Sequence, residues 1–205
     1  MVGTVFRQSA RIPRRACTLL LLAVLLLPAA VPAAAENRSG WRFESLALAA
    51  VAALPGGDYG RLSELAGGGS LQAEFGPRSA SRWGLSLDAF ALVHETTVTG
   101  TSRFSVALHL APSYRLGSRD ALYALLQLGY GPVLHQSSGD WGDCEIAERR
   151  FIGNSIFGAV EIGDRITRGA TLFLRSRYGA IVEERGVGPL AAVELGARLG
   201  RGAAR

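Results

Sequence analysis

The sequence predicts an all-β fold: eight antiparallel up-and-down strands closing a barrel that spans a membrane, behind a cleaved N-terminal leader. Three observations carry this: segments that alternate in polarity with almost no helical period, connections that alternate in length, and a signal-like start. The chain has 205 residues, 48% hydrophobic and 19% charged, which bounds it to one domain with appendages and excludes disorder.

The leader comes first. Arg7, Arg11, Arg14 and Arg15 form a positive segment without an acid. An apolar run from Leu19 to Leu27 follows, then the small-residue stretch closing on Ala33-Ala34-Ala35. That order is the plan of a secretory signal peptide, expected to span 1–35 with the barrel domain over 36–205. The apolar run is about half of the roughly 20 residues a membrane-spanning helix needs. Cys17 precedes the run, opposite to the order in a lipoprotein leader.

The leader also accounts for most of the basic character. The full chain carries +5, and all 22 basic residues are Arg. Four of those Arg lie in the leader and all 17 acids lie beyond it, so 36–205 carries 18 Arg against 17 acids, a net +1. The electrostatic case for a nucleic-acid partner goes with it. Cys144 is the one Cys left, so no internal disulfide is expected, and no cofactor is implied.

Eight strands are expected near 41–54, 69–76, 83–94, 103–115, 121–135, 150–162, 170–183 and 190–200. The third puts Leu85, Leu87, Ala89, Ala91 and Val93 on one face and Ser86 and Asp88 on the other. In the fourth, Phe104, Val106, Leu108 and Leu110 oppose Ser105, Ala107 and His109. The seventh sets Leu172, Leu174, Tyr178, Ala180 and Val182 against Arg175 and Arg177; the eighth sets Ala191, Val193, Leu195, Ala197 and Leu199 against Glu194 and Arg198. Connections near 76–82, 116–120 and 163–168 read as short, whereas 55–68 and 136–149 read as long loops, the 95–102 segment lying between. A barrel with tight turns at one end and loops at the other is the plan of a transmembrane β-barrel.

With strand count, connections and leader together, the region from about 41 to 200 resembles the small eight-stranded outer-membrane barrels, the OmpA/OmpX-like transmembrane domains. The resemblance is architectural and implies residence in the outer membrane of a diderm bacterium. One departure is the end of the chain, Leu199-Gly-Arg-Gly-Ala-Ala-Arg205, where such barrels usually finish on an aromatic residue.

A membrane barrel turns its polar face inward, and eight strands enclose only enough room for side chains to fill. Buried charges there cost several kcal/mol each unless paired. The polar faces offer Glu44, Glu74, Asp88, Glu161, Arg175, Arg177, Glu194 and Arg198, mixed in sign, and these are expected to form a structural ion-pair network in the lumen. The alternative is a soluble periplasmic lipocalin-like barrel that binds a ligand within and shows these charges to solvent. Phe75, Trp83 and Tyr114 are expected to form an aromatic girdle at the short-turn end, and Phe104, Tyr130 and Tyr178 one at the loop end.

Catalytic chemistry has one candidate. His135 and Ser137 share a strand face, with Glu145 or Glu148 as third members, and resemble the His-x-Ser pair of outer-membrane lipid A deacylases. The bland reading is that Gln136 simply begins a polar loop. His94, His109 and His135 have no metal-ligand spacing, and no metal site is expected. Arg149-Arg150, with Arg103 and Arg185 near the same rim, suits contact with lipid phosphates, blunted by Asp140, Asp143, Glu145 and Glu148. The function these features predict is structural or adhesive and non-enzymatic. The expected partners are outer-membrane lipid and an extracellular ligand or host surface protein bound through 55–68 and 136–149; a conducting pore is disfavoured by the filled lumen.

Overall fold

The computed structural model describes residues 40–57, 63–77, 81–96, 101–117, 122–141, 144–183 and 186–200. Eight strands run in chain order and close into one barrel: β1 (Trp41–Pro55), β2 (Ser63–Pro77), β3 (Trp83–Thr96), β4 (Ser102–Gly117), β5 (Tyr123–Trp141), β6 (Cys144–Thr167), β7 (Ala170–Glu183) and β8 (Gly186–Gly200). Every neighbouring pair is antiparallel, and β8 returns to β1, so the sheet has no free edge around the wall.

The register fixes the barrel's shape. Leu46, Ala73, Leu87, Leu110, Tyr130, Ile156, Ala180 and Pro189 lie side by side across the eight strands. The Gly56 amide donates to the Pro189 carbonyl at 2.8 Å. The ring that leaves β1 at Leu46 therefore meets it again at Gly56, ten residues further on. With about 4.8 Å between strands and about 3.4 Å per residue, that stagger tilts the strands by about 40° from the barrel axis. Each residue then climbs about 2.5 Å along the axis, enough for even the 14-residue strands β3 and β7 to cross an apolar layer about 25 Å tall.

Polarity is inverted with respect to a soluble protein. Leu48, Leu110, Leu128, Leu174, Val193 and Leu195 are each more than half exposed on the outer wall, whereas Glu161, Arg175 and Glu194 are 0% exposed inside it. Parity places both sets, because neighbouring residues on a strand face opposite ways. A bulge between Phe43 and Ser45 is the exception: it turns both Glu44 and Ser45 inward.

The strand boundaries correct two of the expected loops. Residues 63–68 of the expected 55–68 loop belong to β2, which leaves 56–62 as the connection. The expected 136–149 loop is mostly hairpin, since β5 runs to Trp141 and β6 starts at Cys144. The turn expected at 163–168 tightens to Arg168-Gly169. Gly and Ser at 67–70 and 137–139 carry the turn chemistry that suggests loops, but ladder pairing to β3, β4 and β6 overrides that local preference. Length alternation survives only weakly: 56–62 and 97–101 connect strands at one end, 78–82 and 118–122 at the other.

The lower girdle is present. Trp83 is 62% exposed and packs on Tyr114 with ring centroids 4.8 Å apart, beside Phe43 edge-on to Phe75 at 5.9 Å. The upper girdle needs correction. The tilt lifts Tyr130 and Tyr178 only about 15 Å above Trp83, near mid-wall. Of the three expected there, Phe104 alone reaches the upper rim. The strand pattern hides this because height in a tilted barrel depends on strand number as well as position along the strand.

Gly129 faces the lumen where the Phe157 ring crosses it; a Cβ there would meet the ring at 2.1 Å. Gly129→Ala is expected to cost about 1–3 kcal/mol by overpacking, and Phe157→Leu in the same chain to recover most of it. Urea unfolding in detergent followed by tryptophan fluorescence measures both.

Candidate functional site

The lumen is built in three tiers, and the inward residues of β3 give their order from the lower end: Ser86, Asp88, Phe90, Leu92, His94. Charge comes first, then an apolar band, then histidine.

In the lowest tier Arg115 donates two bonds to Glu74, at 2.8 and 2.7 Å. Arg198 reaches Glu74 at 3.0 Å and Glu161 at 2.8 Å, and donates to Gln72 and Ser45 as well. The Tyr123 hydroxyl donates to Glu161 at 2.6 Å. Arg175 sits at the centre, donating to Glu161, to Glu194 at 3.0 Å and to Gln72 at 2.7 Å. Above it Arg177 pairs with Asp88 and Glu194, each at 2.8 Å.

Seven of the eight residues singled out in the sequence thus converge on one connected cluster. Glu44 lies by the bulge and pairs with the half-exposed Arg42 at 3.6 Å. Among the described residues, buried Glu44, Glu74, Asp88, Glu161 and Glu194 face buried Arg115, Arg175, Arg177 and Arg198, with Arg42 as the fifth cation. Four of these five acids thus have a buried Arg partner, and Glu44 has the half-exposed Arg42. Sequence reasoning missed Arg115, Gln72, Tyr123 and Ser45. Parity with Ser105 and His109 on β4 marks Arg115 as inward, while Ser45 was hidden by the bulge.

Aromatic faces complete the solvation. Arg177 lies over Phe157 at 4.1 Å and Phe90 at 4.8 Å, and Arg175 over Phe173 at 5.0 Å. Such contacts strengthen in a dry interior. His109 bridges to the middle tier, with Nδ1 3.4 Å from Asp88, Nε2 2.5 Å from the Ser155 hydroxyl, and its ring edge-on to Phe157.

The middle tier is apolar: Val51, Phe90, Leu92, Ala107, Val133 and Ile181 pack together, with Leu190 against them. They do not fill the bore. A small gap of about 30 Å3, room for a water or two, lies between Arg177 and His109 below and His94 and Ser105 above. The ion pairs therefore close the lower lumen, and the apolar tier above them leaves only this small gap.

The top tier holds the remaining histidines. His135 is fully buried and faces inward. Its Nδ1 lies 2.6 Å from the Ser105 hydroxyl, a contact across the β4–β5 pair. Ser137 shares its parity, but the side chains of Glu145 and Glu148 lie outside the described residues, as do those of Arg149, Arg150 and Arg185. The structure therefore turns His135 toward the lumen, away from the lipid-facing side a deacylase of that kind would use. Among the described residues no group of three or more His, Cys, Asp or Glu is placed to hold a metal ion.

No family model matches this chain, and no curated protein matches it. Solved structures do. Ail, the attachment invasion locus protein of Yersinia pestis, is 12% identical with a TM-score of 0.54, over 77% of this chain and 98% of that one. The same protein in complex with the heparin analogue sucrose octasulfate gives 13% and 0.55, over 77% and 99%. Neisserial surface protein A gives 18% and 0.49, over 80% and 99%. At such identities the likeness is one of fold: the chain is a barrel of the small eight-stranded outer-membrane kind.

Proposed function

We propose that this protein is an outer-membrane surface protein whose barrel is a closed anchor and whose β5–β6 hairpin binds a protein partner outside the cell. One observation carries the reading. β5 pairs with β4 only as far as Ser138, and β6 pairs with β7 only from Asn154 inward. β7 ends at Glu183 and β8 begins at Gly186, so among the described residues the backbone of β6 from Cys144 to Gly153 has a strand neighbour on its β5 side alone. The tilt carries Trp141 more than about 10 Å beyond the ends of β3 and β7. A projecting strand with an open edge of amides and carbonyls is a template for an incoming strand.

Charge selects the partner. Asp140, Asp143, Glu145 and Glu148 against Arg149 and Arg150 give the hairpin a net −2. That disfavours a polyanion such as the heparin analogue bound to Ail and favours an extended peptide strand. The paired charges in the lower lumen support an anchoring role rather than a conducting one.

The test is a chain in which residues 138–148 are replaced by an Asn-Gly turn, which keeps the Ser137–Arg149 pairing, displayed on cells. Its unboiled band on a gel is expected to keep the mobility shift of a folded barrel while adherence to host cells or matrix protein falls to that of cells lacking the protein. Adherence unchanged by the replacement overturns the reading. In planar bilayers the intact barrel is expected to give no resolved single-channel steps.

A further inference from the structure

Charge is divided between the two ends of the barrel. At the lower end, where β1 starts and β8 stops, Arg42 and the connections 78–82, 118–122 and 164–169 hold six Arg against two acids. The upper connections with the strand ends beside them, 56–64, 95–103, 139–150 and 183–186, hold five Arg against nine acids. The two rims are therefore opposite in sign. Neither anchoring nor a hairpin interaction requires that division.

A second observation bears on what the basic end meets. Its arginines stand beside exposed apolar side chains: Trp41 precedes Arg42, Trp83 follows Arg82, Leu122 shares a connection with Arg119, and Ile166 lies between Arg165 and Arg168. Against a soluble anion those apolar groups would gain nothing. At a bilayer surface they enter the acyl boundary while the guanidinium groups reach phosphate. Height agrees. Arg82, Arg165 and Arg168 follow within about 10 Å below the Trp83–Tyr114 girdle, the depth at which a headgroup layer borders the apolar one. Arg82 is exposed, and its carbonyl accepts from the Arg115 amide at 2.8 Å, which ties it to β4 next to Tyr114. Arg168 is exposed on the far side of the barrel. Its turn is closed by Arg165, whose guanidinium donates to the Thr167 and Arg168 carbonyls at 2.9 and 3.0 Å.

We propose that the lower rim binds the anionic phospholipid headgroups of the leaflet facing the periplasm, with Arg82 and Arg168 as its best-defined contacts. The proposal rests on the membrane-barrel reading and adds to it a headgroup class and a side. A guanidinium pairs with phosphate through two parallel bonds. At such a surface each arginine favours a net negative lipid over a zwitterionic one by about fivefold. The acidic upper rim repels the same headgroups, so the two ends differ in lipid preference as well as in shape.

The test uses the protein with Trp41→Phe and Trp141→Phe, which leaves Trp83 as the one tryptophan. It is folded into vesicles of equal parts phosphatidylcholine and phosphatidylglycerol, with bromine on the acyl chains of one lipid or of the other. Quenching of Trp83 is expected to report phosphatidylglycerol enriched beside it by about threefold to fivefold. Arg82→Gln is expected to remove at least about half of that enrichment, and molar salt most of it. Arg168→Gln, across the barrel, is expected to leave the Trp83 reading unchanged. With Trp83→Phe and Phe104→Trp moving the reporter to the upper rim, no enrichment is expected. Equal quenching of Trp83 by the two lipids overturns the proposal and leaves the membrane wall standing. The same enrichment at position 104, or an Arg82→Gln chain that keeps it whole, overturns the proposal too. Quenching by neither lipid strikes the membrane reading and the proposal together.

Discussion

Arg175→Met is expected to destabilise the barrel by about 3–5 kcal/mol, a large share of the stability of a small domain. Arg175 is 0% exposed and holds Glu161 and Glu194, themselves 0% exposed, together with Gln72. Methionine fills much of the volume, so the cost comes from two carboxylates that lose a cation where water cannot replace it. Glu161 keeps Arg198 and Tyr123, and Glu194 keeps Arg177 and the Ser70 hydroxyl at 2.6 Å. The penalty therefore falls within the usual range for a broken buried pair rather than above it.

The partner variant separates charge from shape. Arg175→Met with Glu194→Gln removes one charge of each sign and is expected to recover a substantial part of the loss, because one of the carboxylates that lost its cation is no longer charged. Urea midpoints in detergent, read by loss of the heat-modifiable band, give all three values. A single variant as stable as the natural chain would mean that water reaches the cluster and screens it. High salt is expected to change the midpoint of the natural protein little, since the pairs lie out of reach of screening ions.

The legibility of this cluster follows from the two-residue period. Asp88, Glu161, Arg175, Arg177, Glu194 and Arg198 stand in runs whose alternate positions are apolar, so side and polarity are read together. Which acid meets which Arg is a different matter. Arg175 and Gln72 are 103 residues apart in sequence and join across the bore. Their meeting depends on the ten-residue stagger of the closed barrel, which no single strand contains. The same stagger misplaced Tyr130 and Tyr178. The strands β5 and β6 were cut short for a local reason, the Ser-Gly-Asp run at 138–140. The hydrogen-bonded chain Ser63–His94–Ser105–His135 in the top tier was invisible for another: Ser63 stood in an expected loop, and the other three lie on three strands whose relative registers only the closed sheet supplies.

Leu110→Arg is expected to cost about 2–4 kcal/mol in lipid, against about 0–1 kcal/mol for Leu116→Arg on the same strand. Both leucines face outward, 54% and 41% exposed, so a soluble barrel would accept arginine at either with little change. Their heights differ. Leu110 stands about 10 Å above the Trp83–Tyr114 pair, near the middle of an apolar layer about 25 Å tall. Leu116 lies below that pair, where a guanidinium reaches headgroups and water. A charge at mid-wall must shed its hydration or drag water inward, and its side chain is too short to escape from the centre without distorting the layer. The contrast between the two positions thus reads the depth profile of the solvent around the wall. Unfolding of both variants in phospholipid vesicles, with the same pair in detergent as reference, measures it. Equal costs at 110 and 116 would remove the bilayer from the argument and leave a barrel whose apolar wall must be covered by protein instead.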